Sequence, residues 1–134
     1  MATFQFDFVG PERTLYSGAV EAVQIPGTEG DMTVLPGHAP VLTSLRVGVI
    51  VVNEHGQGQG KRIYVQGGFA DIGPESVTVL AERAAPIEEV DQGVLDREIE
   101  AAELARDSTE DLEKREQINA HIVDLREAKK ALDL

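Results

Sequence analysis

Residues 27–40 read GTEGDMTVLPGHAP and contain two reversals of the chain separated by a short apolar run. In the first reversal, glycines on both sides of Glu29 allow the positive φ angles of a tight turn, so Glu29 and Asp31 are predicted to project into water. In the second, Pro36-Gly37 suits the central positions of a type II turn and leaves His38 on a stiff corner. On turn chemistry alone, both reversals are also consistent with ordinary connections between β-strands.

The segments around this stretch have the pattern of short β-strands. Phe4, Phe6 and Phe8 alternate with polar or smaller residues, which places three aromatic rings on one buried strand face. Residues 47–52 are almost continuously apolar, as expected of a strand covered on both sides. Breaks are predicted at Ser17-Gly18 and Gly67-Gly68. Residues 1–85 are therefore predicted to form an antiparallel β-sandwich, or flattened barrel, of about ten strands.

The composition changes after a predicted hinge at Ala84-Ala85-Pro86. Residues 86–134 are rich in Glu, Ala, Leu, Arg and Lys, and their apolar residues recur at helical spacing. A Ser-x-x-acid pattern beginning at Ser108 suggests the cap of a second helix. The segment is predicted to be an antiparallel α-helical hairpin, whose thin apolar stripes must pack against another surface to be stable. Its acidic side chains indicate either a solvated face or a weakly held, detachable arm.

Charge and composition exclude several classes of function. The formal net charge is -12, which disfavours binding to nucleic acids and to anionic lipids. The chain contains no cysteine, so it has neither disulfides nor thiolate metal ligands. No apolar run approaches the length of about 20 residues that a membrane-spanning helix needs. The N-terminal residues lack the features of a signal peptide, from which we expect a mature, soluble chain.

Candidate reactive groups are few and scattered. The histidines at positions 38, 55 and 121 lack the spacing of metal ligands, and no metal site is expected. The glycine-rich residues 53–60 precede a predicted strand rather than a helix, so they are interpreted as a hairpin loop and not as a phosphate loop. Glu29 and Asp31 are expected to lie on an exposed tip and not in a cleft. We therefore expect no catalytic residues, no cofactor and no enzymatic activity.

Three blocks of sequence, GTEGDMTVLPGHAPVLTSL, YVQGGFADI and VTVLAERA, occur in the order and spacing of a known family. Together they resemble the N-terminal domain of the epsilon subunit of F-type ATP synthases, over residues 3 to 88. The resemblance implies a non-catalytic rotor subunit of the central stalk that couples the membrane c-ring to the gamma subunit during proton-driven ATP synthesis. The absence of a presequence favours a peripheral position on the cytoplasmic face of the bacterial plasma membrane, and an organelle-encoded subunit would have the same sequence features.

The resemblance implies contacts for particular residues. Glu29, Gly30 and Asp31 match the acidic loop that lies against the c-ring in this family. Gly10, His38 and Thr43 match positions on the face that meets gamma. The C-terminal hairpin resembles the segment that in some members extends along gamma towards the alpha and beta subunits and blocks hydrolysis.

One departure from the family pattern concerns nucleotide binding. Members that bind ATP have Ile or Leu, Asp, two variable residues, Arg and Ala at the start of the first helix. The corresponding residues are Val90, Asp91, Gln92, Gly93, Val94 and Leu95, so the Arg and Ala are replaced. Without the cation, a triphosphate loses charge-assisted hydrogen bonds, and ATP sensing is expected to be absent or weak. The alternative function is a small acidic module that senses a nucleotide or another ligand, with the hairpin as its lid.

Overall fold

The structure is a computed structural model that describes residues 2–54 and 60–132. The predicted hairpin loop of residues 53–60, with His55, lies largely outside the described residues. The strands are β1 (Phe4–Val9), β2 (Thr14–Val20), β3 (Ala22–Gly27), β4 (Gly30–Val34), β5 (Val41–Ser44), β6 (Gly48–Asn53), β7 (Lys61–Ile72) and β8 (Ser76–Pro86). A short 3-10 turn at Ile87–Glu89 leads to helices α1 (Gln92–Ser108) and α2 (Leu112–Leu132).

The strands form one sheet that folds around an apolar core, with the order β2-β1-β8-β7-β6-β3-β4 and with β5 added to β7. Phe4, Phe6 and Phe8 are all buried in this core, which confirms the aromatic face predicted for β1. Every other buried member of the core cluster also comes from a strand or from a connection before Pro86. The β-sandwich predicted from the sequence is therefore confirmed, and its core includes no buried residue of the helices.

The predicted break at Gly67-Gly68 is wrong, because β7 runs through both glycines. Its first half pairs with β6 and its second half with β5, and the two glycines mark the change of partner. Gly68 has a φ of 115°, and a Cβ atom there would lie 2.1 Å from the Leu80 carbonyl oxygen. Glycine is therefore needed for a kink within a strand, and not for the end of one.

Other details of the sandwich also differ from prediction. The described residues form eight strands rather than about ten, because β2 continues through Ser17-Gly18 and is held to β1 by a hydrogen bond of 2.6 Å from Ser17 Oγ to Asp7 Oδ1. One pair, β1 with β8, is parallel, with Gln5 opposite Ser76. These two strands are far apart in sequence, so no tight hairpin constrains their relative direction.

The C-terminal segment is the predicted antiparallel hairpin. Side-chain pairs cross between the helices from Arg106 to Asn119 and from Glu103 to Arg126, so the residue numbers run in opposite directions along the two helices. A second apolar cluster joins α1 and α2 to the sandwich. The sandwich contributes Val47 and Tyr64 to this cluster. The expectation that the hairpin packs against another surface is therefore confirmed.

The boundaries of the hairpin differ from those expected. Ala84 and Ala85 do not form a hinge, because they pair with Val65 and Tyr64 inside the sheet. The predicted cap at Ser108 is also wrong. Ser108 ends α1 and donates a hydrogen bond of 2.7 Å to the Leu104 carbonyl oxygen, whereas Asp111 caps α2 by accepting from the backbone nitrogens of Glu113 and Lys114 at 3.0 and 3.4 Å.

Candidate partner-binding surfaces

The acidic turn, defined as Glu29-Gly30-Asp31, lies between β3 and β4. Gly27 and Gly30 are paired, and Gly30 has a φ of 136°, which fits the tight reversal predicted from the glycines. Glu29 is exposed and forms no ion pair with any described residue. Asp31 instead binds the guanidinium of Arg46, which follows β5. The two carboxylates of the turn therefore differ, because only Glu29 is available without displacing a cation.

Thr43 lies beside the acidic turn. It is on β5 opposite Ala70, and it lines a shallow groove together with Glu29 and Asp31. A Cβ atom placed on Gly27 would lie 3.4 Å from Thr43 Oγ1, which shows how closely β5 approaches the end of β3. Thr43, which the resemblance assigns to the gamma contact, is therefore adjacent to the acidic turn, which it assigns to the c-ring contact.

His38 lies on the corner that leads into β5. Gly37 has a φ of 81° and His38 N donates to the Leu35 carbonyl oxygen at 3.3 Å, so the predicted type II turn is present. The His38 ring nitrogen Nδ1 is 2.7 Å from the Ala39 carbonyl oxygen. Gly37 N also donates to Pro74 O at 3.0 Å, which fixes this corner against the connection between β7 and β8.

Exposed apolar side chains form a strip across four strands of the sheet. Leu80 pairs with Phe69, and Leu42 is the diagonal neighbour of Phe69 on β5. Leu42, Phe69 and Leu80 are exposed, whereas the alternate residues of the same strands, such as Ala70 and Val79, are buried. Val9, in register with Leu80 on β1, extends the strip. The apolar strip, defined as Val9, Leu80, Phe69 and Leu42, has the character of a protein-binding surface.

The three residues assigned to the gamma contact border this strip but do not form one cluster. Gly10 directly follows Val9 at one end, and Thr43 directly follows Leu42 at the other. His38 lies beyond the second end, three residues before β5 begins. Gly10 also lines a separate cleft with Tyr64 and Glu89, close to the start of the C-terminal segment.

Arginines of the sandwich hold the acidic C-terminal segment at three points. Each arginine pairs with a different glutamate, as follows: Arg13 with Glu89 at 3.3 Å, Arg83 with Glu98 at 3.3 Å, and Arg46 with Glu127 at 3.2 Å. Gln66 adds a hydrogen bond of 2.9 Å to Glu98. Since ion pairs near the surface are individually weak, this arrangement holds the hairpin through several separable contacts.

Packing of the hairpin against the sandwich shifts the pKa of two ionisable groups. Burial raises the pKa of Tyr64, with a smaller contribution in the opposite direction from the hydrogen bond of Gln66. Burial also raises the pKa of Asp124 on α2, which the nearby Arg46 lowers and Glu127 raises. Both groups lie where α1 or α2 meets the sandwich, so docking of the hairpin removes water from them.

The degenerate nucleotide motif forms the beginning of α1. Asp91 is the N-cap of this helix, and its carboxylate accepts a hydrogen bond of 2.8 Å from Gly93 N. Leu95 is buried in the second apolar cluster, and Val94 is partly exposed. These contacts account for Asp91 and Leu95 as structural residues of the helix, without reference to a nucleotide.

Among residues 2–54 and 60–132, no three His, Cys, Asp or Glu side chains are grouped as metal ligands. Within the described part of the chain, neither helix combines the length and apolarity needed to cross a membrane.

Arg46 and the apolar strip were not recognised from the sequence. The strip could have been inferred from strand alternation, because Leu80 lies between the buried residues Val79 and Ala81, and Phe69 alternates with the buried Ala70. The role of Arg46 could not have been inferred from the sequence, because its partners Asp31 and Glu127 lie 15 and 81 residues away in the chain.

Residues 3–87 match the family described as the ATP synthase, Delta/Epsilon chain, beta-sandwich domain. The chain is 51% identical over 98 residues to the ATP synthase epsilon chain of Parvibaculum lavamentivorans, covering 73% of this chain and 74% of the relative. It is 46% identical over 127 residues to that of Sinorhizobium medicae, covering 93% and 94%.

Two solved structures have the same fold. A chain of the mitochondrial ATP synthase OSCP/F1/c-ring assembly of Euglena gracilis superimposes with a TM-score of 0.75 at 26% identity, covering 99% of this chain and 81% of that one. A chain of the central stalk/c-ring of the Tetrahymena thermophila mitochondrial ATP synthase has a TM-score of 0.69 at 11% identity, covering 98% and 97%. The extent of the family match, the identity to these bacterial relatives and the sandwich followed by a helical hairpin lead to one conclusion: the chain belongs to the family of ATP synthase epsilon chains.

Proposed function

We propose that the chain is a non-catalytic rotor subunit of the central stalk, which couples the c-ring to the gamma subunit during proton-driven ATP synthesis. The observation that supports this most strongly is the combination, on one sandwich, of the projecting acidic turn and the exposed apolar strip. A closed core beneath both surfaces suits transmission of torque, because close-packed interiors deform little. The subunit is peripheral to the membrane through the complex, on the cytoplasmic face of the bacterial plasma membrane.

The acidic turn is the proposed contact with the c-ring. Glu29, Gly30 and Asp31 offer negative charge on a short turn, and complementary charge fixes register and speeds association. The apolar strip, bordered by Gly10, His38 and Thr43, is the proposed contact with gamma. Burial of its exposed side chains would contribute about 25 cal/mol for each Å² of apolar surface removed from water.

The hairpin is the proposed regulatory element. Its attachment through separable ion pairs and a small apolar cluster is suited to detachment, after which α1 and α2 could extend towards the alpha and beta subunits. The docked hairpin would allow ATP hydrolysis by the complex, and the extended hairpin would inhibit it. The chain contributes no catalytic group and needs no cofactor for this role.

The experiment that tests the gamma contact is a binding measurement between purified gamma and variants of the full chain. Leu42→Asp is expected to weaken binding at least tenfold, because it places a charge in the middle of an apolar contact. Leu104→Asp is the matched control, since Leu104 on α1 is exposed to a similar degree, 68% against 71% for Leu42. Equal affinities for gamma of Leu42→Asp and the unchanged chain would contradict the proposal.

Two further arms complete the test. Glu29→Lys is expected to weaken attachment of the chain to a gamma–c-ring assembly, whereas Glu75→Lys, on the connection between β7 and β8, is expected to leave it unchanged. The alternative function, nucleotide sensing, is tested by thermal stability: gamma should stabilise the chain and ATP should not. Stabilisation by micromolar ATP, without stabilisation by gamma, would favour the ligand-binding module.

A further inference from the structure

Arg46 is shared by the acidic turn and the hairpin. Its Nη2 atom binds the Asp31 carboxylate, and its Nη1 atom lies 3.2 Å from Glu127 Oε2 on α2. The arginine side chain is 22% exposed, whereas the carboxylate side chains are 76% and 57% exposed. One partly dehydrated guanidinium therefore connects two regions whose carboxylates face solvent.

The backbone holds Arg46 firmly in this position. Arg46 N donates to the carbonyl oxygen of Pro26 on β3 at 3.0 Å, three residues before the acidic turn begins. The next residue, Val47, is buried in the apolar cluster beneath the hairpin. The side chain lines a cleft that also contains Asp31 and Glu127. The backbone of Arg46 is therefore anchored between β3 and the apolar cluster, and its side chain extends from this anchor to both carboxylates.

We propose that Arg46 couples the acidic turn to the hairpin: a cationic partner that takes the Asp31 carboxylate removes the contact that orients Arg46 towards Glu127, and so favours detachment of the hairpin. Fixing an arginine side chain in one conformation has a large entropic cost. In the docked state the contacts of Arg46 with two carboxylates together offset this cost. When Asp31 is bound to another cation, Glu127 is the remaining hydrogen-bond partner of the Arg46 guanidinium among the described residues, and the Asp124 carboxyl near Arg46 contributes only through its charge.

An opposing effect is weaker. Asp31 and Glu127 are both negative, and loss of Asp31 from the site relieves some repulsion. Both carboxylates are largely in water, where the solvent and salt screen such repulsion, whereas Arg46 is more deeply placed. The orienting contact therefore dominates, and linkage requires that detachment of the hairpin should in turn change the affinity of the turn for its cation.

The identification of the cationic partner as the c-ring depends on the function proposed above, but the coupling itself does not. If both hold, contact between the acidic turn and the ring loosens the hairpin on the opposite side of Arg46. The state of the hairpin would then depend on whether the chain is assembled on the ring.

Amide hydrogen exchange of the full chain tests the coupling. Ile122 and Leu125 are buried in the apolar cluster that packs α2 against the sandwich. Detachment removes this packing, so α2 unfolds locally more often and amide exchange at these two residues becomes faster as the detached population grows. Asp31→Asn is expected to speed their exchange about two- to fivefold, the factor that corresponds to a partly exposed ion pair. Glu29→Gln is the matched control, because it removes the same charge from the same turn without touching Arg46.

The decisive comparison uses Arg46→Gln as a second background. There, Asp31→Asn is expected to have no further effect on exchange at Ile122 and Leu125. Exchange at Val79, in the sandwich core, verifies in each variant that the sandwich remains folded. Equal effects of Asp31→Asn and Glu29→Gln, or an Asp31→Asn effect that persists without Arg46, would overturn the proposal. Either result leaves the gamma and c-ring tests unaffected, so the two failures are distinguishable.

Discussion

At the scale of single residues, Asp124 shows how docking of the hairpin acts on one charge. It lies on α2 between the buried residues Ile122 and Leu125, and burial raises its pKa above the ordinary value of an aspartate. A raised pKa means that the folded protein favours the neutral carboxyl. This contribution to stability is complete below the unfolded pKa, near 4, and is lost as the pH rises through the folded pKa.

We therefore expect Asp124→Asn to increase the free energy of unfolding at pH 7 by about 0.5 kcal/mol, since the group is only partly buried. The gain should decrease as the pH falls through the folded pKa of Asp124. Denaturant unfolding at a series of pH values measures both effects. Glu116→Gln, an exposed position on the same helix, controls for the general reduction of negative charge. A loss of stability at pH 7 would show that the attraction of Arg46 exceeds the cost of burial.

The two turns predicted within residues 27–38 are present, whereas the breaks predicted at Ser17-Gly18 and Gly67-Gly68 are not. The reversal at Gly30 and the corner at Pro36-Gly37 both follow from φ angles that few residues other than glycine adopt. The ion pair of Asp31 was missed because a turn residue has the same local signature whether its carboxylate is free or bound to an arginine.

At the scale of elements, the connection between α1 and α2 distinguishes a true cap from an apparent one. Ser108 matches the capping pattern, but it has already been incorporated into α1, where its hydroxyl bonds within the helix. Asp111 accepts hydrogen bonds from two backbone nitrogens at the start of α2. The motif in the sequence was displaced by one turn because α1 continues further than its stripe of apolar residues suggested.

Asp111→Ala is consequently expected to lower the stability of the hairpin by about 1 kcal/mol, the usual effect of removing an N-cap. Ser108→Ala should change it by a few tenths of this amount, since a hydroxyl that bonds the carbonyl four residues earlier adds little to a helix. The two variants can be compared by circular dichroism during thermal unfolding. A larger effect of Ser108→Ala than of Asp111→Ala would restore the cap predicted from the sequence.

At the scale of the whole molecule, the sandwich and the hairpin have separate cores joined by a few side chains. None of the buried residues of the main core comes from the helices, so a chain ending at Pro86 should remain folded. A chain ending before Ala84 would instead remove residues that pair with β7.

Tyr64 provides the measurement for this prediction. Its pKa is raised mainly by burial and also by the charge of Glu98 on α1, so removal of residues 87–134 should lower it towards the ordinary value near 10. Absorbance of tyrosinate during an alkaline titration follows the change, and Tyr64→Phe in both backgrounds identifies the signal. An unchanged titration of Tyr64 after truncation would show that the strands, and not the hairpin, keep it from water.

The sequence by itself determined the sandwich, the hairpin and the acidic turn, because alternation, helical periodicity and glycine turns are local properties of the chain. It also supported the resemblance to epsilon subunits, which the family match bears out. Only the tertiary structure decided the parallel pairing of β1 with β8, the apolar strip across four strands, and the attachment of Asp31 and Glu127 to Arg46. Each of these joins residues distant in the chain, and their proximity depends on how the whole sheet closes.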